Sequence, residues 1–467
     1  MKDRYHQHLE DEPNKEQKKL SEEITIINPP LFSHDGHLSA GQLVSITLVD
    51  VTYRYFRDKA KVTNYASRAY NVQGKPAESE ETSNTDLITF VKDANVRTSK
   101  LAEQIEQEKE KLGVLGSGFE FVDSSKSSQA TAQKRFIDLC EKGLIFRNGR
   151  RFFLNSDLAV KTHDMTKVIE TIEFHPKNLK NTINQLLNDA VTPIELTKDR
   201  LFATPLPIHV CGKCDVDFMS SDVSFPIDPR VNPAECLNCH HISVNDPRDT
   251  LAPLFDLTQQ GHYLSPDHSG TVVQICGRNV LTKYIFFSLL INTALDGRPP
   301  FDVLITHGFL NDQNGKRMAK WNENMVFVNE LLNQFHPDAI RFSILKTLSL
   351  NDNSSNFDQR QLEYGQKFIY KIGNLRKLFK LNNINLAETP LDEAFFSKYQ
   401  RLMERFDYKL AFTLTEKYLS TISSDVARGR ESGMVDMQDK SIRYKTAILA
   451  LQPFLPNITG QSIAELF

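Results

Sequence analysis

HGFLNDQNGKRMAKW, running from His307 to Trp321, is the stretch on which the reading of this chain turns. An apolar, β-branched run from Asp302 to Thr306 delivers the backbone into His307-Gly308, and a turn-rich loop then presents Arg317 and Lys320. A strand that ends in glycine and leads to closely spaced cations reads as a phosphate-gripping loop with several positions exchanged. A companion segment lies far upstream, NPPLFSHDGHLSAGQ from Asn28 to Gln42. It follows a short β-branched run, Ile24 to Asn28, and precedes an amphipathic helix with Val44, Leu48, Val51 and Tyr55 on one face. Strand, loop, helix is the opening of a parallel α/β sheet.

The same pattern recurs in the second half. Thr271 to Ile275 is a predicted strand, Val280 to Leu295 a helix and Asp302 to Thr306 a strand. Between the halves, Ser99 to Leu112 alternates charge as an exposed helix does, Lys75 to Asp86 reads as a polar loop and Ser124 to Gln129 as a Ser-rich break. From about Asp358 the pattern is helical: Ile369, Ile372 and Phe379 share a face, Tyr399 to Leu419 continues in that style, and Pro453 and Pro456 interrupt the last segment.

Bulk properties set the limits. A chain of 467 residues has room for two or three domains, and 25% charged with 40% hydrophobic residues is ordinary for a soluble protein. A formal net charge of −3 provides no global attraction to nucleic acid, so any RNA contact has to come from local basic patches. The charged N-terminus predicts a solvated tail over residues 1–22 rather than a secretory signal. The longest apolar run, Tyr284 to Leu295, is too short to span a bilayer, so the expectation is a cytoplasmic protein without a membrane partner.

Four of the six cysteines, Cys211, Cys214, Cys236 and Cys239, fall in the pattern C-x2-C…C-x2-C. Paired knuckles of this kind present four thiolates to a tetrahedral zinc ion; the alternative is a set of scattered buried thiols. His240 and His241 follow directly and either replace a ligand or face water. Cys140 and Cys276 read as small buried hydrophobes.

With these residues in view, the chain resembles the class I aminoacyl-tRNA synthetases, in the branch that handles valine, isoleucine, leucine and methionine. NPPLFSHDGHLSAGQLVSITLVDVTYRYFR resembles the HIGH segment and its helix, AYNVQGKPAES the G-W-D-x-H-G segment, and LCEKGLIFRNGRRFFLN the "EKGLIYR" segment. LTKDRLFATPLPIHVCGKC is similar to the stretch that leads into the zinc knuckle, and ICGRNVLTKYIFF to "TGxDIxFFW". GKRMAKWNENMV and HPDAIRF take the places of the KMSKS loop and "GADALRF", and FDQRQLEYGQKFIYKIGNLRKL resembles the start of the anticodon helices. Eight segments in family order imply an α/β fold: a Rossmann-like parallel sheet split by a zinc-bearing connective insertion, then a C-terminal α-helical bundle. The implied divisions are 23–95 and 266–355 for the two catalytic halves, 96–265 for the insertion and 356–467 for the helical part. LNSDLAV is followed almost at once by KVIETIEFHPKNLKNTINQLLNDA, which resembles the connector beyond the editing domain, so that domain is expected to be absent.

The resemblance implies ATP, with Mg2+, as cosubstrate, an amino acid or other small carboxylic acid as substrate, and tRNA or a carrier as acceptor. It assigns Arg317 and Lys320 to the developing pyrophosphate. It assigns Pro30, Ser39, Gly41, Gln42, Gly277, Asn279, His307, Gly308 and Met318 to ATP, and Asn28, Pro29, Asn71 and Gln73 to the acid. The chain departs from the family at several of these. Both histidines of HIGH are replaced, by Ser39 and Gln42, which still donate hydrogen bonds but carry no charge. Asn71, Gln73 and Asn279 stand where the family has Asp, His and Asp; Arg317 replaces a lysine, and Ala319 and Trp321 replace serines. His37, two positions ahead of the motif, is either a substitute donor or a polar residue of the preceding loop. Three readings follow: an adenylate-forming ligase, a paralog that binds nucleotide, tRNA or protein without chemistry, and a zinc-stabilised α/β transferase of another type that uses the same nucleotide pocket.

Overall fold

The computed structural model describes residues 23–27, 37–57, 59, 61–69, 87–115, 117–121, 125–188, 193–219, 224–267, 269–318, 322–432 and 436–463. At its centre is a parallel sheet of six strands: β1 (Glu23–Ile27), β2 (Lys61–Ala69), β3 (Ser117–Phe121), β4 (Glu173–His175), β5 (Thr271–Gly277) and β6 (Val303–His307). Their spatial order is β3-β2-β1-β5-β6-β4, and every pairing is parallel. From β1 the chain moves outward one way to β2 and β3, and from β5 the other way to β6. Order reverses at the β1–β5 seam, where a crevice opens beyond the carboxyl ends of the strands.

Helix α1 (Ala40–Phe56) covers one face of the sheet. Ile24 and Ile26, Val273 and Ile275, and Val303 and Ile305 pack there with Leu43, Ile46 and Val49. The alternate residues Ile27, Val272, Cys276 and Leu304 point to the other face, onto a second core with Leu257, Tyr284, Ile285 and Phe301. This double coverage is why the strands read as continuous apolar runs.

Two strands of the sheet come from the stretch expected to form the insertion and were not anticipated. Ser117–Phe121 pairs with β2, and Glu173–His175 pairs with β6. Both are short and lack a periodic signal, and their partners lie far off in sequence. The exposed helix expected over 99–112 is the second half of α2 (Leu87–Lys111), whose inner edge buries Phe90, Ala94, Ile105 and Glu108. The Ser-rich break is a helix start: Ser125 caps helix Lys126–Glu141 by accepting from the Ser128 N–H. Beyond it lie the antiparallel hairpin Ile145–Asn148/Arg151–Leu154 and the cysteine knuckles.

Helix α3 (Phe286–Asp296) follows β5 through a 3-10 turn, Arg278–Val280, and a π turn, Leu281–Ile285. After β6 come α4 (Pro337–Thr347) and α5 (Arg360–Leu381), then α6 (Glu393–Glu404), α7 (Tyr408–Ser432), α8 (Met437–Leu451) and α9 (Pro456–Ile463). The continuous pattern expected from 399 to 419 is broken between α6 and α7, where Phe406 takes φ 58 and buries its ring against Phe56 and Tyr408. A buried ion cluster joins the helices to the sheet domain. Asp50 of α1 accepts from Arg54 (2.9 Å) and Arg341 of α4 (2.7 Å), while Arg341 also donates to the carbonyls of Phe454 and Pro453. No helix among the described residues is long and apolar enough to cross a membrane.

Candidate nucleotide site and cysteine cluster

Thirteen residues converge beyond the carboxyl ends of β5 and β6: Ser39, Gly41, Gln42 and Ser45 from α1, Gly277, Asn279 and Val280 after β5, and His307, Gly308, Phe309, Leu310, Arg317 and Met318 from the stretch that opened the sequence reading. They enclose a cavity of about 160 Å³ that opens to solvent, smaller than the about 300–1,000 Å³ typical of small-molecule sites. Nine of the residues expected to meet ATP or its phosphates therefore share one cleft: Ser39, Gly41, Gln42, Gly277, Asn279, His307, Gly308, Arg317 and Met318. Asn28, Pro29, Pro30, Asn71, Gln73, Lys320 and Trp321 lie outside the described residues.

Two glycines of the cleft have no room for a side chain. A methyl group on Gly277 would lie 2.4 Å from Asn279 Oδ1 and 3.2 Å from His307 Cε1, and one on Gly308 would meet the Asp352 carbonyl at 2.5 Å. His307 is buried. Its Nδ1 donates to the Gly308 carbonyl (2.8 Å), leaving Nε2 to accept from the Ser45 hydroxyl (2.6 Å). Burial, aided by the Arg278 cation, holds the ring's pKa down to about 4, so it is neutral at physiological pH. Ser45, Val280, Phe309 and Leu310 were not expected from sequence. Ser45 was within reach of it, because it sits one helical turn after Gly41.

The start of α1 ties Ser39 and Gln42 to each other. They form a capping box: the Ser39 N–H donates to Gln42 Oε1 (2.8 Å), the Ser39 hydroxyl donates to the same oxygen (3.0 Å), and the Gln42 N–H donates to Ser39 Oγ (3.3 Å). The Ser39 proton expected to face a phosphate is directed into the cap. His37 sits just ahead of the helix. It pairs with Glu108 of α2 at 2.5 Å, and the other Glu108 oxygen accepts from the Leu38 N–H. The first turn of α1 carries no acidic side chain of its own, and Glu108 supplies the carboxylate that lies just ahead of it.

The cation loop is tied to this helix start. The Ala40 N–H donates to the Val326 carbonyl (2.9 Å) and the Val328 N–H to the Leu38 carbonyl (2.8 Å). Asn324 bridges the loop, donating to Asp312 (2.8 Å) and to the Arg317 carbonyl (3.2 Å). The guanidinium of Arg317 stacks 4.4 Å from the Phe309 ring centroid, which holds the charge at the cleft wall.

Away from the cleft, the four Sγ atoms of Cys211, Cys214, Cys236 and Cys239 lie within 4.8 Å of one another. Two of the separations are 3.5 and 3.6 Å. Thiolates about 2.3 Å from a tetrahedral zinc stand about 3.8 Å apart, so the set fits the ion. The Cys214 N–H points at Cys211 Sγ, a contact that stabilises a thiolate there. His240 pairs with Glu235 and His241 is exposed, so both face water. Burial raises the pKa of Cys140, to about 12, and that of Cys276, as expected of inert thiols.

Residues 267–356 match the family described as tRNA synthetases class I (I, L, M and V). The chain is 24% identical over 263 residues to the valine–tRNA ligase of Methanocaldococcus jannaschii, covering 52% of this chain and 30% of that protein. It is 22% identical over 420 residues to the valine–tRNA ligase of Thermococcus kodakarensis, covering 80% and 45%. The chain thus spans less than half the length of these relatives. Among solved structures it is similar to the LeuRS–tRNA–LeuAMS ternary complex of Agrobacterium radiobacter K84 (TM-score 0.69, 14% identity, 97% of this chain and 86% of that one). It is also similar to the methionyl-tRNA synthetase of Mycobacterium tuberculosis with methionyl-adenylate (TM-score 0.64, 11% identity, 94% and 92%). The sheet, the cleft at its switch point and the cysteine knuckles define a class I synthetase-like α/β protein. Residues 267–356 are similar to the isoleucine, leucine, methionine and valine branch of the class I tRNA synthetases, and the fold as a whole is similar to that of the two synthetase structures.

Proposed function

We propose that the chain binds ATP in the switch-point cleft and joins a small carboxylic acid to its α-phosphorus, with tRNA or another acceptor receiving the acyl group. The observation that carries this reading is the meeting of Gly277, Gly308, His307, Arg317 and the start of α1 around one cavity. In the reaction a carboxylate oxygen attacks the α-phosphorus, the bond to the bridging oxygen breaks, and pyrophosphate leaves with the electron pair. Gly277 and Gly308 let the nucleotide approach the backbone. Arg317 meets phosphate charge, with Lys320 as a second cation by family resemblance. Among the described residues none that lines the cleft is a carboxylate, so Mg2+ would ride on the phosphates and water, where it neutralises their charge. The four cysteines would hold Zn2+ as a structural ion.

A second reading, nucleotide binding without chemistry, is favoured by the Ser39–Gln42 cap, which diverts the Ser39 hydroxyl from the phosphates. Acid-dependent ATP–pyrophosphate exchange over a broad acid panel, run beside titration with a non-hydrolysable ATP analogue, separates the two. Exchange is the expected result. Analogue binding with no exchange for any acid selects the binding module, and no analogue binding removes both.

A further inference from the structure

Three segments distant in sequence meet where α1 begins. The Leu38 N–H donates to Glu108 Oε2 of α2 at 2.9 Å, and the Leu38 carbonyl accepts from the Val328 N–H at 2.8 Å. The Ala40 N–H donates to the Val326 carbonyl at 2.9 Å. The other Glu108 oxygen lies 2.5 Å from His37 Nδ1. Immediately beyond Leu38, Ser39, Gly41 and Gln42 line the cleft, and two residues before Val326 the Asn324 side chain holds the Arg317 carbonyl. The carboxylate therefore grips the strip of backbone that joins two walls of the cleft, without lining the cleft itself.

Glu108 is delivered by a firm support. Phe90, Ala94, Thr98, Ile105 and Glu108 recur at helical spacing along the buried edge of α2. Phe90 and Ala94 pack with Leu201 and Phe202, whereas Ile105 joins the main core that contains Leu38 and Leu43. A helix of 25 residues is about 37 Å long, so its two ends are pinned by different parts of the molecule. Glu108 itself is 5% exposed. Withdrawing a carboxylate from water is costly unless close hydrogen bonds offset it. A leucine would serve the packing of α2 at this position equally well, but it would leave the Leu38 N–H unpaired.

The geometry points to Glu108 as a positioning residue for nucleotide binding. It fixes the backbone of Leu38 to Ala40 against Val326 to Val328, so that the start of α1 and the loop carrying Arg317 keep one spacing. The consequence for binding rests on the ATP reading; the contact does not. Placement of this kind is sensitive, since a displacement of about 1 Å can cost about 10²-fold in rate.

The test uses the full chain, with amide exchange over residues 326–331 read by mass spectrometry and a titration with a non-hydrolysable ATP analogue. Glu108→Ala should speed exchange of the Val328 amide and weaken the analogue, each by about tenfold or more. Glu108→Gln offers an amide oxygen to Leu38 and an NH2 to His37, and should stay within about threefold of the wild-type chain in both. Glu108→Asp keeps the charge but draws it back by one methylene, so it should weaken the analogue by about threefold or more even if Glu108→Ala does not fold. Lys445→Met, which removes the bonds to the Ala387 and Thr389 carbonyls in the helical part, controls for lost stability and should move neither reading. An unmoved Val328 amide in folded Glu108→Ala, a Gln variant as weak as the Ala or Asp one, or an equal loss in Lys445→Met overturns the inference. If the wild-type chain binds no analogue the ATP reading falls, and exchange at Val328 then decides for or against Glu108 by itself.

Discussion

Gly277 has no room for a side chain, because a methyl there would overlap Asn279 Oδ1 and press on the His307 ring. Overpacking of this kind costs about 1–3 kcal/mol. Gly277→Ala should weaken binding of a non-hydrolysable ATP analogue about tenfold or more by calorimetry, since the crowded atoms line the cleft. His307 makes a pH prediction. Its folded pKa of about 4 lies below the ordinary 6.5, so as pH falls from above 6.5 toward 4 the unfolded chain takes up a proton the folded chain refuses. The stability present at pH 7 is then lost progressively, by at most ~3 kcal/mol for this residue. Urea unfolding at pH 7 and pH 5 should show the loss, and His307→Gln should flatten it. A wild-type stability equal at both pH values would contradict a buried neutral ring.

At the scale of elements, the start of α1 is built for capping. Ser39→Ala removes an acceptor for the Gln42 N–H and should cost about 1 kcal/mol in chemical unfolding. If chemistry is limited by missing donors, the double variant Ser39→His/Gln42→His should raise pyrophosphate exchange, toward the roughly 10²–10³-fold that one transition-state donor is worth. An unchanged rate would place the limit elsewhere. The knuckles are a second self-contained element. Metal analysis should find one zinc per chain, lost in Cys214→Ser, and chelation should lower the melting temperature while the parallel sheet, which shares none of these ligands, stays folded. Here the sequence was highly legible, for C-x2-C spacing places both thiolates of a knuckle on one tight turn. The cap was legible too, as S-x-x-Q, but reading Ser39 and Gln42 as phosphate donors passed over it.

The whole molecule is held together where α1, α4 and the chain before α9 meet at Asp50 and Arg341, both fully buried. Asp50→Ala would leave Arg341 and Arg54 without their carboxylate, and removing one partner of a buried pair costs about 3–5 kcal/mol. Chemical unfolding should report a loss of that order. Arg341→Met, which leaves Asp50 bonded to Arg54 and to the Leu115 N–H, should cost less. Equal losses would mean that packing, not charge, dominates the junction.

By itself the sequence determined what depends on near neighbours in the chain. It placed the strand–loop–helix units of the two halves, nine of the thirteen residues that line the cleft, and the cysteine pairs, since spacing of a few residues sets which side chains share a turn or a face. The tertiary structure alone decided what joins distant segments. His37 was claimed by Glu108, 71 positions away, and Ser45 by His307, 262 positions away. The short strands at Ser117 and Glu173 were drawn into the sheet by partners that no local pattern announces. Parallel pairing and buried polar contacts are settled by which surfaces meet once the chain has closed long loops, and that is not encoded in any short window of residues.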